Sequence, residues 1–240
     1  MQRRWKGRDP RSQLRLAATV LFSGVVVSLL AGSLHADSAS ANDHPAAFAA
    51  YAASGIWTAV PLGQFVGMAW LVTGLLLLLS ALKVDEGAAA WAGRIGAVLA
   101  AAALALYAAL QAVDGVALKR AVDAWAVAAG PEKSMRFATA EGIRWLEWGM
   151  RSYQSFVLGA ALILAGLVIV LARGIPRGIG VLMGLSGLAY VAQGWVIGAE
   201  GFSAANTVPT LSGIVLTAVW SVWLLIFAWR MRQEQPRRPT

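Results

Sequence analysis

The sequence is dominated by long stretches that contain no Asp, Glu, Lys or Arg. Five are evident at once, and a sixth follows: 16–36, 44–82, 95–113, 152–172, 178–199 and 201–229. A helix rises about 1.5 Å per residue, so roughly 20 apolar residues cross the ~30 Å hydrocarbon core of a bilayer. Only 13% of the residues are charged, whereas about 25% is usual in water-soluble domains. The sequence therefore predicts an all-α, polytopic membrane protein.

Two of these stretches are too long for a single span and begin with turn-rich segments. Once those segments are set aside, six transmembrane helices are predicted, near 16–35, 59–82, 94–113, 152–172, 178–199 and 211–230. They form a membrane domain over 16–231, flanked by basic tails at 1–15 and 232–240. An even number of spans places both ends of the chain on the same side of the membrane.

The distribution of basic residues predicts which side that is. Fourteen of the 20 Lys and Arg residues fall on the side of the tails, and the loops 37–58 and 200–210 contain none. Positive segments are retained in the cytoplasm, so both termini are expected to be cytoplasmic. The net charge of +8 is accordingly an orientation signal, and the expected partner is a lipid bilayer, not nucleic acid. Richness in Arg and Ala favours a bacterial inner (plasma) membrane.

The first span could alternatively be a cleaved signal peptide. A basic segment precedes it, and Ala39-Ser40-Ala41 offers a small-x-small cleavage site. Its apolar region, 16–34, is nevertheless longer than the usual 7–15 residues or so of a signal peptide. A retained transmembrane helix is therefore the preferred interpretation.

The polar segment 114–150 between the third and fourth spans is predicted to be an extracytoplasmic helical hairpin. Leu118, Val122, Trp125 and Ala129 form an apolar stripe at helical spacing. Gly130-Pro131 then supplies a helix stop followed by a new helix start. Residues 114–150 should thus form two helical arms on the side opposite the tails.

The spans also suggest an internal repeat. Gly67 and Gly74 in the second span match Gly159 and Gly166 in the fourth, and the third and fifth spans share a similar order of residues. Such a match predicts a parallel repeat about an axis normal to the membrane. The alternative is that Gly and Leu recur by chance in apolar helices.

Most of the polar side chains within the spans fall near their extracytoplasmic ends. The candidate ligand-binding residues in this outward polar cluster are Gln111, Asp114, Glu147, Arg151, Gln154, Gln193 and Glu200. Ionisable groups at a membrane boundary are costly unless they are paired or face a wet cavity. Glu147 and Arg151, four residues apart on one helix, are expected to pair.

His35, Asp37, Asp43 and His44 are weak candidates for a metal site, because imidazoles and carboxylates suit zinc or copper. Their spacing matches no known motif. The segment is equally well explained by Asn42 or Asp43 acting as the N-cap of a short interfacial helix that carries Phe48, Tyr51 and Trp57.

Other catalytic and cofactor signals are weak, and no cofactor is predicted. The absence of cysteine excludes thiolate nucleophiles, iron–sulfur clusters and c-type haem attachment. Gly184-Leu185-Ser186-Gly187 resembles the Gly-x-Ser-Gly motif of the rhomboid intramembrane proteases, which also have six spans. The resemblance covers four residues, and the histidines that could serve as a base lie near the first span. Close helix packing is the better explanation of these glycines.

These observations predict a non-catalytic membrane protein that presents an outward polar pocket or docking face to a small molecule or a partner protein. Its role would be binding, sensing or that of an accessory subunit. One alternative is a membrane enzyme that uses Asp114, Glu147 and Glu200 on an amphipathic substrate. Another is a small-solute transporter built on the repeat.

Overall fold

The computed structural model describes residues 10–35, 40–172 and 174–231. Within these ranges the protein is helical and contains no strand. The eight α-helices are α1 (Pro10–Ser33), α2 (His44–Ala53), α3 (Ala59–Ala81), α4 (Gly87–Ala112), α5 (Lys119–Val127), α6 (Gly130–Leu171), α7 (Arg177–Glu200) and α8 (Thr207–Arg230). A π-helical turn, Val113–Leu118, joins α4 to α5, and a 3₁₀ turn, Ala204–Asn206, precedes α8.

The described residues include six helices that are long and apolar enough to cross a membrane. They are α1, α3, α4 with its extension through α5, α6, α7 and α8. The predicted all-α, six-span fold is confirmed, and the chain is an integral membrane protein. Two spans are longer than the sequence suggested, because residues 87–127 run on through the π turn and Gly130–Leu171 continues without a break. The predicted tails lie largely outside the described residues.

The six spans form a closed ring. Each span packs against the next one along the chain, and α8 packs against α1 to complete the circle. The short helices α2 and α5 pack on each other at one end of the ring, which we call the α2 end. There, Phe48 and Tyr51 of α2 join Leu118 and Val122 in a small second core. The predicted interfacial helix is thus present, and Asp43 caps it by accepting a hydrogen bond from the Ala46 amide.

Glycines bring two pairs of helices into backbone contact. A Cβ on Gly24 or Gly74 of the α1–α3 pair would overlap the backbone of the facing helix. In the α6–α7 pair, Gly159 and Gly187 face each other, and a Cβ on either would lie 2.5 Å from the carbonyl oxygen of the other. Lipid supplies no hydrophobic drive for helices to associate, so such small-residue contacts are a principal source of packing energy between spans.

The same glycines contradict the parallel repeat. In that repeat the second span corresponds to the fourth and the third span to the fifth, so matched glycines should face matched neighbours. Gly159 and Gly166 contact α7, the next span along the chain. Gly67 and Gly74 instead contact α1, the preceding span. The sequence similarity therefore reflects two independent uses of glycine for close packing.

The end of the bundle opposite α2 is filled by apolar side chains. Leu21, Leu75, Leu162, Ile179 and Trp220 are fully buried there, each from a different span. A packed apolar layer of this kind leaves no room for a polar passage. Most of the buried ionisable and amide side chains of the spans lie in the other half of the bundle.

Candidate functional site

A cavity of about 540 Å³ lies inside the ring, in the half that adjoins α2. All six spans contribute to its wall. At its deep end lie Val25, Leu71, Leu158 and Thr217, next to the apolar layer. Near α2 the wall includes His35, Tyr51, Arg144 and Phe202. The cavity thus changes from apolar at its base to polar and aromatic beneath α2.

Six of the seven candidate residues from the sequence line this cavity: Gln111, Asp114, Glu147, Arg151, Gln154 and Gln193. The exception is Glu200, which ends α7 at the rim. Its carboxylate accepts a hydrogen bond from Ser203 at 2.8 Å, and its backbone carbonyl accepts one from Asn42 at 2.9 Å. Glu200 therefore forms hydrogen bonds with two loops at the α2 end and does not line the cavity.

The expected pairing of Glu147 with Arg151 is wrong, because Glu147 pairs with Arg144. The Arg144 guanidinium donates to the Glu147 carboxylate and also to the Tyr51 hydroxyl at 3.2 Å. Its carbon lies 5.5 to 5.6 Å from the ring centres of Tyr51, Trp148 and Phe202. Both arginines are within one turn of Glu147, and the aromatic surroundings favour the buried position of Arg144.

Arg151 lies one to two turns deeper along α6 and has a different environment. Its guanidinium carbon is 5.7 Å from the ring centre of Tyr107 on α4. Among the residues that the structure describes, no carboxylate is within salt-bridge distance of it. Arg151 therefore lines the cavity without a direct ion-pair partner among the described residues.

Asp114 sits in the π turn, where the sequence predicted an ordinary helix boundary. Two residues just before α3 donate hydrogen bonds to the backbone of this turn. The Trp57 indole donates to the Asp114 carbonyl at 3.0 Å, and the Thr58 hydroxyl donates to the Gly115 carbonyl at 3.0 Å. The Asp114 side chain is only 6% exposed, and its Oδ1 has no hydrogen-bond partner among the described residues. A π turn interrupts the regular ladder and is common at functional sites.

Glutamines from four successive spans occupy the middle of the wall: Gln64, Gln111, Gln154 and Gln193. The Gln111 amide donates to Gln64 at 3.2 Å, and the Gln193 amide donates to Thr210 at 2.9 Å. Oε1 of Gln111, Oε1 of Gln193 and Nε2 of Gln154 have no partner within the described part of the chain. Each of these three atoms is itself buried, so it becomes available to a ligand only when its side chain turns toward the cavity.

The weak metal candidates are separated by other contacts. Nδ1 of His44 lies 2.9 Å from a Glu141 carboxylate oxygen, and Asp43 is occupied as the N-cap of α2. His35 packs against the Trp57 ring with a centroid distance of 4.7 Å. Asp37 lies outside the described residues. In the described ranges, no three His, Cys, Asp or Glu side chains come together to hold a metal ion.

The serine of the rhomboid-like motif has a structural role in helix packing. The hydroxyl of Ser186 is fully buried, donates to the Met183 carbonyl at 2.7 Å and accepts from the Trp220 indole at 3.1 Å. Its donor capacity is used within α7, and its acceptor capacity is used by α8. This arrangement holds the Trp220 side chain in the apolar layer and provides no base for a nucleophile.

Several cavity residues were not among the sequence candidates, chiefly Tyr51, Gln64, Tyr107, Arg144 and Tyr190. Arg144 had a detectable signal, since Glu141, Arg144, Glu147 and Arg151 alternate in charge at steps of three or four residues. Gln64 had one too, as an amide in an otherwise apolar span. The tyrosines carried no such signal, because aromatic residues near span ends usually serve as interfacial anchors.

Family models, curated proteins and solved structures were compared with the chain, and none of them matches it. The function is therefore inferred from the side chains of the cavity.

Proposed function

We propose that this is a non-catalytic membrane protein that binds a small molecule in its central cavity, as a sensor or as an accessory subunit. The single observation that supports this most strongly is a set of buried polar side chains on the wall. Each is at most 7% exposed and retains an atom without a hydrogen-bond partner among the described residues: Gln111, Asp114, Arg144, Gln154 and Gln193.

These buried polar side chains favour ligand binding because burying a polar atom without a hydrogen-bond partner costs free energy. An unsatisfied buried donor or acceptor costs about 1–3 kcal/mol, and more if it is charged. Native proteins leave few such groups, and these five belong to residues that line one cavity. A polar ligand together with water would satisfy them once the side chains turn toward the cavity, and the stabilisation gained would appear as binding affinity.

We further propose that the cavity faces the extracytoplasmic side of a bacterial inner membrane. The loop charges support this orientation, because the tails and the loops opposite the α2 end hold most of the Lys and Arg residues. On this proposal the apolar layer at the opposite end would separate the cavity from the cytoplasm. On this proposal the segment 114–150 is extracytoplasmic.

Thermal unfolding in detergent tests the binding role. Defined molecules are added to the purified protein: glycerol, amino acids, glycerophosphodiesters and phospholipids. At least one should raise the unfolding temperature of the wild type, because a ligand of the native state stabilises it by mass action. Gln193→Leu should abolish that shift. Gln13→Leu is the control, because Gln13 lies at the end of α1 that is far from the cavity, and this variant should retain the shift. The binding proposal fails if no molecule shifts the wild type, or if the shift persists in Gln193→Leu.

The enzyme alternative loses support from the positions of the carboxylates. Of the three that were considered, Glu200 is at the rim and Glu147 is neutralised by Arg144. Asp114 is then the one remaining candidate among the three. Acid–base catalysis by a carboxylate pair needs a second group that is free to exchange a proton, so Asp114 alone does not supply the pair.

A small-solute transporter is the second candidate, and one observation favours it: all six spans line the same central cavity. Movement of the spans about the cavity would then expose it alternately to the two sides. A single cysteine at Thr217, on the cavity floor, discriminates the two roles. If the protein merely binds, an impermeant maleimide should label this cysteine from the extracytoplasmic side alone. If the protein transports, the maleimide should label it from both sides, as measured in vesicles of opposite orientation.

A further inference from the structure

The cavity has an opening where the described part of its wall is exposed. Almost every side chain that lines it is buried or half-buried, and the exposed ones are Leu29 and Ser33. Both belong to α1 and are separated by one helical turn. Leu29 is 42% exposed although it lines the cavity. The opening is therefore in the side of the ring, along α1.

The opening lies at the boundary between α1 and α8. Toward the opposite end of the bundle, Arg15 donates to the carbonyls of Ala228 and Met231 at 3.2 and 3.1 Å, and the Trp229 indole donates to Thr19 at 3.2 Å. At about 3.6 residues per turn, Ser33 lies five turns from Arg15 on the same side of α1, and Leu29 lies within about 40° of that side. The face of α1 that contacts α8 at one end is thus exposed at the other.

The other boundaries of this half of the ring are closed by contacts between side chains or by close backbone approach. Ser28 meets Gly67 between α1 and α3, Gln64 meets Gln111 between α3 and α4, and Gln193 meets Thr210 between α7 and α8. The α1–α8 boundary is bordered instead by exposed apolar side chains: Val26 and Leu30 on α1, and Leu211 and Val215 on α8. In a membrane, surfaces of this kind face lipid.

The charges on the wall define what can bind behind this opening. Arg144 and Glu147 compensate each other. Asp114 and Arg151 each lack a salt bridge among the described residues. A ligand that carries both a cation and an anion would form a direct ion pair with each of them, whereas a ligand with one charge would pair with only one.

We propose that the ligand is a membrane amphiphile with a zwitterionic headgroup, and that it enters sideways from the bilayer between α1 and α8. Its ammonium group pairs with Asp114, its phosphate or carboxylate pairs with Arg151, and the wall amides bind its ester or hydroxyl oxygens. Its apolar chains remain at the opening against Leu29 and Ile214. This inference rests on the proposed binding function and specifies the ligand class and the route.

Native mass spectrometry with phospholipid probes tests the headgroup chemistry. The purified protein is titrated with phosphatidylethanolamine, phosphatidylcholine and phosphatidylglycerol. Phosphatidylethanolamine should bind best, because its ammonium can donate hydrogen bonds to Asp114, the choline group cannot, and phosphatidylglycerol has no cation. Asp114→Asn should weaken phosphatidylethanolamine binding on the order of tenfold or more and affect phosphatidylglycerol little. Arg151→Gln should weaken both lipids.

A second pair of variants tests the route. Leu29→Trp places a large side chain in the opening, and Leu62→Trp places the same side chain on an exposed apolar surface of α3, away from the α1–α8 boundary, as the matched control. Leu29→Trp should reduce phosphatidylethanolamine binding at least tenfold, and Leu62→Trp should leave it within about twofold. The soluble headgroup glycerophosphoethanolamine should bind far more weakly than the lipid, because it cannot place apolar chains at the opening.

The outcomes separate this inference from the binding function. Equal binding of the three lipids, or unchanged binding in Asp114→Asn, overturns the zwitterionic headgroup. Unchanged lipid binding in Leu29→Trp, or equal affinity for glycerophosphoethanolamine and the lipid, overturns the lateral route. If some other molecule gives a thermal shift that depends on Gln193, the binding function stands and this inference fails. If nothing binds, both fail.

Discussion

The buried ion pair between Arg144 and Glu147 offers the sharpest test of how the cavity is built. Arg144 is 3% exposed and Glu147 is 5% exposed, so each charge depends on the other for compensation. We expect Arg144→Gln and Glu147→Gln each to destabilise the protein by about 3–5 kcal/mol, because each leaves an uncompensated buried charge. Arg144→Gln should cost more, because the stranded arginine in Glu147→Gln still has three aromatic rings around it.

The double variant should be milder than the sum of the single ones. With both charges removed, neither is stranded, and the loss should fall below the sum by about 1–3 kcal/mol. The measurement is the free energy of unfolding in mixed micelles for the wild type, the two single variants and the double variant. In the same set of variants with Arg151→Gln in place of Arg144→Gln, the losses in unfolding free energy should be additive, because the Arg151 guanidinium contacts Tyr107 instead of Glu147.

A second ion pair on the same helix provides the matched control. Arg136 contacts Glu132 at 3.1 Å, four residues away, but their side chains are 51% and 56% exposed. Removing either should change stability by no more than about 0.5 kcal/mol, as is usual for exposed helical pairs. Additive losses for Arg144 and Glu147, or coupling of Glu147 to Arg151 instead, would refute the pairing.

Three further predictions follow from the packing and the charge distribution. Single cysteines can be placed at Ser12, Ser134 and Thr240 in this naturally cysteine-free chain. An impermeant maleimide applied to intact cells should label the cysteine at Ser134 and leave the other two unlabelled, and the reverse pattern would overturn the proposed orientation. Gly187→Ala should destabilise the protein by about 1–3 kcal/mol, since its Cβ would lie 2.5 Å from the Gly159 carbonyl oxygen. Gly142→Ala, where nothing lies within 4 Å, should be neutral or stabilising by up to about 1 kcal/mol, and equal effects in thermal unfolding would contradict this account of the glycines. Ser186→Ala should cost about 1–3 kcal/mol because it leaves the buried Trp220 indole without its acceptor, and an unchanged unfolding temperature would show that this bond contributes nothing.

Part of the candidate site could be predicted from the sequence. Gln111, Asp114 and Gln193 were identified because polar side chains in apolar spans are costly, and all three line the cavity. Glu200 was chosen by the same rule and lies at the rim, where it accepts from Ser203. Sequence position fixes roughly how deep a residue lies along its span, but it does not fix which way the side chain points around the helix axis.

The partner of Glu147 shows a second limit. Helical spacing places both Arg144 and Arg151 within reach of Glu147, so the local sequence allows either pair. The choice depends on Tyr51 and Phe202, which come from α2 and from the loop after α7. Contacts between segments this far apart in the chain exist only after the ring of spans has assembled.

The sequence by itself determined the properties that depend on solvent and on local backbone bonding. A charge-free run long enough to cross hydrocarbon must satisfy its amides within itself, so the six helices follow from composition and spacing, as does a cap for α2 at Asn42 or Asp43. Tertiary structure decided the closure of the ring, the π turn at Asp114, the use of Asp43 as the cap and the exposure of Leu29 on the cavity wall. These depend on how closely glycines let particular helices approach and on the rotation of each helix, because lipid solvates every apolar face of a span almost equally.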